Sequence, residues 1–149
     1  MRDLIRRWVS LVVIFFTVFA ACSSYSQEEA VALIGKRYLE ILSTEVRDYG
    51  HARDLGARLV DCFHLPSIPN AGQNGFTPAA YIGRRIITIQ VSFKTHGLKF
   101  RKKDFYIGSI RFTGPENARV VIRNRKSDRW RTVISLRKIT DDWKIHDIA

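Results

Sequence analysis

The chain has 149 residues, 46% of them hydrophobic, with 25 Lys and Arg against 14 Asp and Glu, for a formal net charge of +11. That length suits one domain around one core, and two cysteines exclude the disulfide framework on which very small secreted scaffolds depend. The charge is uneven: residues 22–75 sum to −2 and residues 76–149 to +11, so the positive field belongs to the C-terminal half.

Met1 to Arg7 carries three arginines, and Trp8 to Ala21 is a fourteen-residue uncharged run ahead of Cys22-Ser23-Ser24. As a helix such a run rises about 21 Å, short of the ~30 Å hydrocarbon layer. The pattern therefore predicts a secretory signal over residues 1–26, or a membrane anchor if polar residues up to Gln27 are recruited. The expected location is outside the cytoplasm: periplasmic, or membrane-attached on the outer side of the inner membrane or at the outer membrane. Phe19-Ala20-Ala21-Cys22 resembles a bacterial lipobox, with Phe19 where that motif favours Leu. The resemblance implies lipidation of Cys22; cleavage between Ala20 and Ser26 is the alternative.

From residue 27 to 149 one α+β domain is expected. Ser26-Gln27-Glu28-Glu29 reads as a capping box, and Val31, Ile34, Tyr38, Ile41 and Leu42 recur at helical steps, predicting a helix to about Asp48. Tyr49-Gly50 interrupts it, and Leu55, Leu59, Cys62 and Phe63 predict a second helix over 52–63. Pro66 to Gly75 reads as a loop. Thr77-Pro78 opens a short helix through Tyr81.

From Arg85 the period reads as two, with Ile87, Ile89, Val91 and Phe93 alternating against Ile86, Thr88, Gln90 and Ser92, a strand ending at the His96-Gly97 turn. A second strand is expected over 105–112, with Tyr106, Ile110 and Phe112 on one face. A third follows over 118–125. A fourth carries Trp130, Thr132, Ile134 and Leu136 on one side, and a last short strand covers 143–148. Helices first and hairpin-linked strands after specify N-terminal helices on an antiparallel sheet of four to five strands.

This order of elements, with RWRTVISLRKI over 129–139 turning into DDWKIHDI over 141–148, resembles the closing hairpin of NTF2-like domains. That resemblance implies a bent sheet wrapped as a cone around a helix. The family includes enzymes, carriers and secretion subunits, so it does not select an activity.

Two groups of candidate site residues follow. Arg111, Arg119, Arg123, Arg125, Arg129, Arg131 and Arg137 fall opposite the apolar positions of their strands and predict a basic sheet face, with Lys99, Arg101, Lys102 and Lys103 beside it. Such a face suits an anionic envelope component or an acidic protein; a solvated face that blocks edge pairing is the alternative. Export argues against nucleic acid. Tyr38, His64, Tyr81, Tyr106, His146 and Asp147 are the candidates for a cone pocket, and none matches an enzyme motif. The four histidines lack ligand spacing, so no metal or other cofactor is expected. Cys62 lies on an apolar helix face and reads as a buried thiol; a Cys22–Cys62 disulfide requires Cys22 to be neither removed nor lipidated. The expected role is non-catalytic binding or scaffolding. The alternatives are a carrier or a lyase/isomerase-type enzyme using the cone interior, or an anchored subunit of a secretion assembly or an immunity protein binding a toxin.

Overall fold

A computed structural model describes residues 26–68, 77–98 and 101–149. The leader, Cys22, most of the loop expected over 66–75 and Lys99 lie outside the described residues. The chain divides into two compact units, residues 1–30 and 31–149. Of the first only residues 26–30 are described, and they are helical. Ser26 is thus already inside a helix and is not its cap.

The second unit is an α+β domain in which three helices pack against a four-stranded antiparallel sheet of order β1-β2-β3-β4. Within this unit helix α1 covers residues 31–42, α2 Tyr49–Ala57 and α3 Pro78–Thr95. The strands are β1 Phe105–Gly114, β2 Asn117–Asn124, β3 Ser127–Ile139 and β4 Asp142–Ile148.

Helix α1 stops at Leu42, six residues before the expected end. Ser43 and Thr44 turn their hydroxyls onto the Glu40 carbonyl at 3.0 Å each, the local bonding by which these residues compete with helix. The segment that follows is held by Gln90, a buried residue of α3. Its Nε2 donates to the carbonyls of Leu42 (2.9 Å) and Thr44 (2.8 Å), and its Oε1 accepts from Val46 N (3.0 Å). Asp48 then caps α2, accepting from His51 N at 2.8 Å. Tyr49-Gly50 therefore opens the second helix rather than interrupting the first. That helix ends at Ala57, and Val60–Cys62 is a separate 3-10 turn.

The strand expected over 85–93 is part of α3. Thr77 caps this helix as expected, accepting from Ala80 N at 3.2 Å, but the helix continues for 18 residues. The buried positions Ile82, Ile86, Gln90 and Phe93 follow steps of four, four and three, which a helix aligns on one face. The sheet accordingly has four strands, the lower of the two numbers expected.

Helix α3 meets α2 at two glycines. A Cβ on Gly83 would sit 2.6 Å from the Ala52 carbonyl oxygen, and one on Gly56 would meet Gly83 N at 2.8 Å. Helix α1 crosses the sheet at Gly35, whose absent Cβ would lie 3.0 Å from Val120. Beneath the helices lies the core: Val31, Tyr38, Ile41 and Leu42 from α1, Ala118, Val120 and Ile122 from β2, and Trp130, Ile134 and Leu136 from β3. At one end Phe93, Phe105 and Trp130 form a cluster with ring centroids 4.9 to 5.5 Å apart. The edge of β4 is covered: Phe63 bridges Ile145, His64 N donates to the Ile145 carbonyl at 2.8 Å, and Lys144 Nζ donates to the Asp61 carbonyl at 2.7 Å.

Replacing Gln90 by Leu keeps the buried volume and strips three backbone groups of their partner, each worth about 1–3 kcal/mol when left unsatisfied. The expected loss is about 3 kcal/mol or more in urea unfolding; a loss under about 1 kcal/mol would show that residues 42–46 are held by something else.

Candidate anion-binding face

The register of the strands decides which side chains share the outer face. In β2, Ala118, Val120, Ile122 and Asn124 are buried against the helices while Arg119, Val121 and Arg123 face away. Pairing carries that division across the sheet: Arg111 of β1 lies opposite Arg119, and Ser135 of β3 lies on Arg119's other side. A second row joins Tyr106, Arg123 and Arg131. Between the two rows runs Ser109, Val121 and Val133. Four residues separate Arg119 from Arg123, so the arginine rows stand about 13 Å apart. Arg137 pairs with Asn117 and with Lys144, and Arg129 is exposed at the far end of β3.

Tyr106 departs from expectation. It stands on the arginine side, away from Ile110 and Phe112, because the β1–β2 register shifts between Ile107 and Ser109. Gly108 occupies that shift, and Arg123 uses the space: a Cβ on Gly108 would lie 2.7 Å from its Cδ. A glycine inside a strand is the sequence sign of such a bulge. Arg125, just past the end of β2, is held differently, with its guanidinium 5.0 Å from the Tyr106 ring centroid.

None of the seven arginines forms an ion pair among the described residues. The three pairs present join Arg37 to Asp61, Arg58 to Glu40 and Lys94 to Glu45, and their carboxylates all lie in the chain before residue 62. Like charges directly opposite each other in a sheet repel. At about 6 Å in water each such pair costs roughly 0.7 kcal/mol. The face is thus predominantly cationic, with Asp147 beside Ser135 at the end of the Arg111–Arg119 row.

The candidate pocket residues do not converge. Tyr38 is fully buried in the core. Tyr106, His146 and Asp147 are away from it: Tyr106 stands among the arginines, and His146 and Asp147 are exposed on β4, with Asp147 Oδ1 accepting from Ile148 N at 2.8 Å. His64 is tied locally, its Nδ1 2.7 Å from Ser67 Oγ. Tyr81 is half-buried on α3 against the core. Cys62 is a buried free thiol whose pKa is pushed up by burial and by the neighbouring Asp61 carboxylate, which makes it a poor nucleophile. Asp61 itself is held below the usual carboxylate range by its hydrogen bond from Arg37. Among the described residues no group of three His, Cys, Asp or Glu could hold a metal ion, and no helix is long and apolar enough to cross a membrane.

Two basic residues of interest were not singled out in the sequence. Lys144 extends the Arg137 row, and its alternation in the last strand is a visible signal. Arg85 was placed in a strand; read on a helix, Arg85, Thr88 and Ser92 share one polar face, and that spacing is the signal.

No protein-family model matches the chain, and no curated protein matches it.

The Tyr38 hydroxyl has no hydrogen-bond partner among the described residues, and burial pushes its pKa well up, with Arg85 acting weakly the other way. A buried hydroxyl without a partner costs about 1–3 kcal/mol. Tyr38→Phe should therefore leave stability unchanged or raise it by about 1 kcal/mol in urea unfolding. A loss beyond about 1 kcal/mol would mean that the hydroxyl holds a partner such as an internal water, and would return Tyr38 to the candidate pocket residues.

Proposed function

We propose that this is an exported cell-envelope protein whose NTF2-like domain binds an anionic envelope component through its arginine-bearing sheet face, without catalysing a reaction. The observation that carries this reading is the pairing of Arg111 with Arg119 and of Arg123 with Arg131 across neighbouring strands, none of which is in an ion pair among the described residues. Two rows about 13 Å apart suit a surface carrying many negative groups better than a single small ion.

The NTF2-like assignment draws support from the order of helices and hairpin-linked strands and from one contact across the sheet. Phe112 of β1 and Trp143 of β4 have ring centroids 5.7 Å apart, although they belong to opposite edge strands. In a flat sheet those strands would lie about 14 Å apart, so the contact favours a sheet that bends toward its helices.

Export rests on the leader, residues 1–26. The intact mass of protein recovered from membrane and soluble fractions of a bacterial host tests it. The expected species begins at Cys22 with diacylglyceryl and acyl groups, or begins between Ala21 and Gln27 without them; a full-length mass in the cytosolic fraction alone would reject export.

The face is tested by sedimentation with vesicles containing phosphatidylglycerol. Arg123→Glu combined with Arg131→Glu should reduce the bound fraction at least tenfold at low salt and leave the thermal midpoint nearly unchanged. Raising salt toward 1 M should release the wild type, as screening shortens the Debye length from about 10 Å to 3 Å. Binding that ignores both the substitutions and the salt would reject the arginine face.

A further inference from the structure

The two edges of the sheet are finished differently. The β4 edge is closed by Phe63, His64 and Asp61, which meet Ile145 and Lys144. Strand β1 is the other edge, and no strand stands beside it among the described residues.

Which backbone groups β1 leaves open follows from one pair on the far side of the sheet. Val133 and Ala149 exchange two backbone hydrogen bonds, at 2.7 and 2.9 Å, so Val133 turns its N–H and C=O away from β2. Along an antiparallel strand these groups point alternately to one neighbour and the other. Val121, opposite Val133, therefore turns its own groups toward β1, where it meets Ser109. Arg125 follows the same alternation, and its N–H does reach that side, donating to the Asp104 carbonyl at 2.8 Å. Ser109 and Arg111 thus bond to β2, while Ile110 and Phe112 turn their N–H and C=O groups out to the free edge. Among the described residues no turn, loop or side-chain hydrogen bond reaches those groups.

The side chains alternate as well. Ile110 and Phe112, opposite Val120 and Ala118, lie on the helix side. Phe112 packs against the buried Trp143 yet is 40% exposed, the one large hydrophobic side chain of the sheet left so among the described residues. Natural edge strands are blunted by Pro, Lys or an inward-pointing charge. Residues 109–113, Ser-Ile-Arg-Phe-Thr, contain none of these: both inward positions are apolar, and the single charge, Arg111, points outward.

An open strand with an uncovered apolar margin accepts an extended segment by main-chain pairing, and alternate side chains set the choice of segment. Residues opposite Ile110 and Phe112 must be apolar to finish covering Phe112. The residue between them stands opposite Arg111, where a carboxylate is favoured and a cation repelled. Arg119 beside Arg111, and Arg101, Lys102 and Lys103 exposed just ahead of β1, extend that preference. A second copy of this chain would bring the same cations to its own β1 edge, so charge opposes the pairing of two such edges. We propose that the free edge of β1 binds an extended segment of an acidic partner protein as an added strand, its apolar residues against Ile110 and Phe112 and a carboxylate opposite Arg111. This site is the strand's edge and does not rest on the outer face binding a surface.

The test uses the full chain and the capped peptide VEVEVEV at physiological ionic strength, with hydrogen exchange at the Ile110 and Phe112 amides followed by NMR. Saturating peptide should slow both amides at least about tenfold. Methylating the valine nitrogens removes the N–H groups that pair with Ile110 and Phe112, keeps the charge, and should weaken binding at least about tenfold. Methylating the glutamate nitrogens, which point away from β1, should leave affinity within about twofold. Arg111→Glu should lose VEVEVEV and gain VKVKVKV, an exchange that a folding defect would not produce. If both methylated peptides bind as well as the parent, or neither amide is slowed, charge alone holds the peptide and the edge is not a docking site. If the amides are protected without peptide in step with a dimer in sedimentation, the occupant is a second copy and the acidic partner is overturned. The vesicle assay of Arg123→Glu with Arg131→Glu reads the outer face alone, so its failure rejects that face while the amide protection still decides the edge.

Discussion

Three hydrogen bonds from one buried amide hold the helical layer together. The last carbonyls of a helix have no partner within it, and α1 ends at Leu42, which is buried in the core. Gln90 meets the Leu42 and Thr44 carbonyls with its two N–H groups and the Val46 amide with its oxygen. The side chain belongs to α3, so the bonds that end α1 also fix α3 relative to it. With α3 placed, Phe93 reaches Phe105 and Trp130, and Arg85 reaches the Ile148 carbonyl. The connecting segment is held as well, which positions Asp48 to cap α2. The close approach of α2 and α3 at Gly56 and Gly83 then leaves little freedom in the layer.

This arrangement places packing on one side of the sheet and leaves the other free. The inner face is covered by helices and the β4 edge by residues 61–64. The outer face makes no comparable demand on its side chains, since its apolar row is limited to Val121 and Val133. Residues there can carry charge at small cost to folding. Two of the arginines reduce even that cost by lying along their neighbours: Arg123 across Gly108, and Arg125 over the Tyr106 ring. Long basic side chains stabilise through their stems as well as their charges, and a guanidinium gains more from an aromatic face than an ammonium does.

The strands from 117 onward were legible because one face is buried and the other exposed, which writes a period of two into the sequence. Trp130, Thr132, Ile134 and Leu136 are all buried, as their alternation implies. The arginine face was legible for the same reason. The stretch 85–93 was misread because its run of Ile and Thr favours strands and its helical period was hidden. The key buried position, Gln90, is polar and does not count as apolar in a search for hydrophobic spacing. With Gln90 included, 82, 86, 90 and 93 mark a helix face. Tyr106 was assigned to the wrong side because a single bulge reverses every side chain before it, and only Gly108 announces it. The pocket candidates failed to converge for a different cause: residue type says that Tyr, His or Asp can do chemistry, but only the tertiary fold decides whether they meet.

The uneven charge along the chain explains why the sheet arginines remain unpaired. Acidic residues are spread almost evenly, seven in residues 22–75 and six in residues 76–149, against five and seventeen basic ones, and the carboxylates that form ion pairs, Glu40, Glu45 and Asp61, engage Arg37, Arg58 and Lys94. The strands contribute few acids of their own, and Asp147 spends one oxygen on the adjacent Ile148 amide. Residues 22–75 sum to −2 and residues 76–149 to +11, and the strands that carry Arg111, Arg119, Arg123, Arg131 and Arg137 all lie in the second range. If solubility alone were served, scattered charges of both signs would do as well and would avoid repulsion between Arg111 and Arg119 or Arg123 and Arg131. Under the proposed binding role, a partner of the opposite sign removes the repulsion that this concentration of one sign creates.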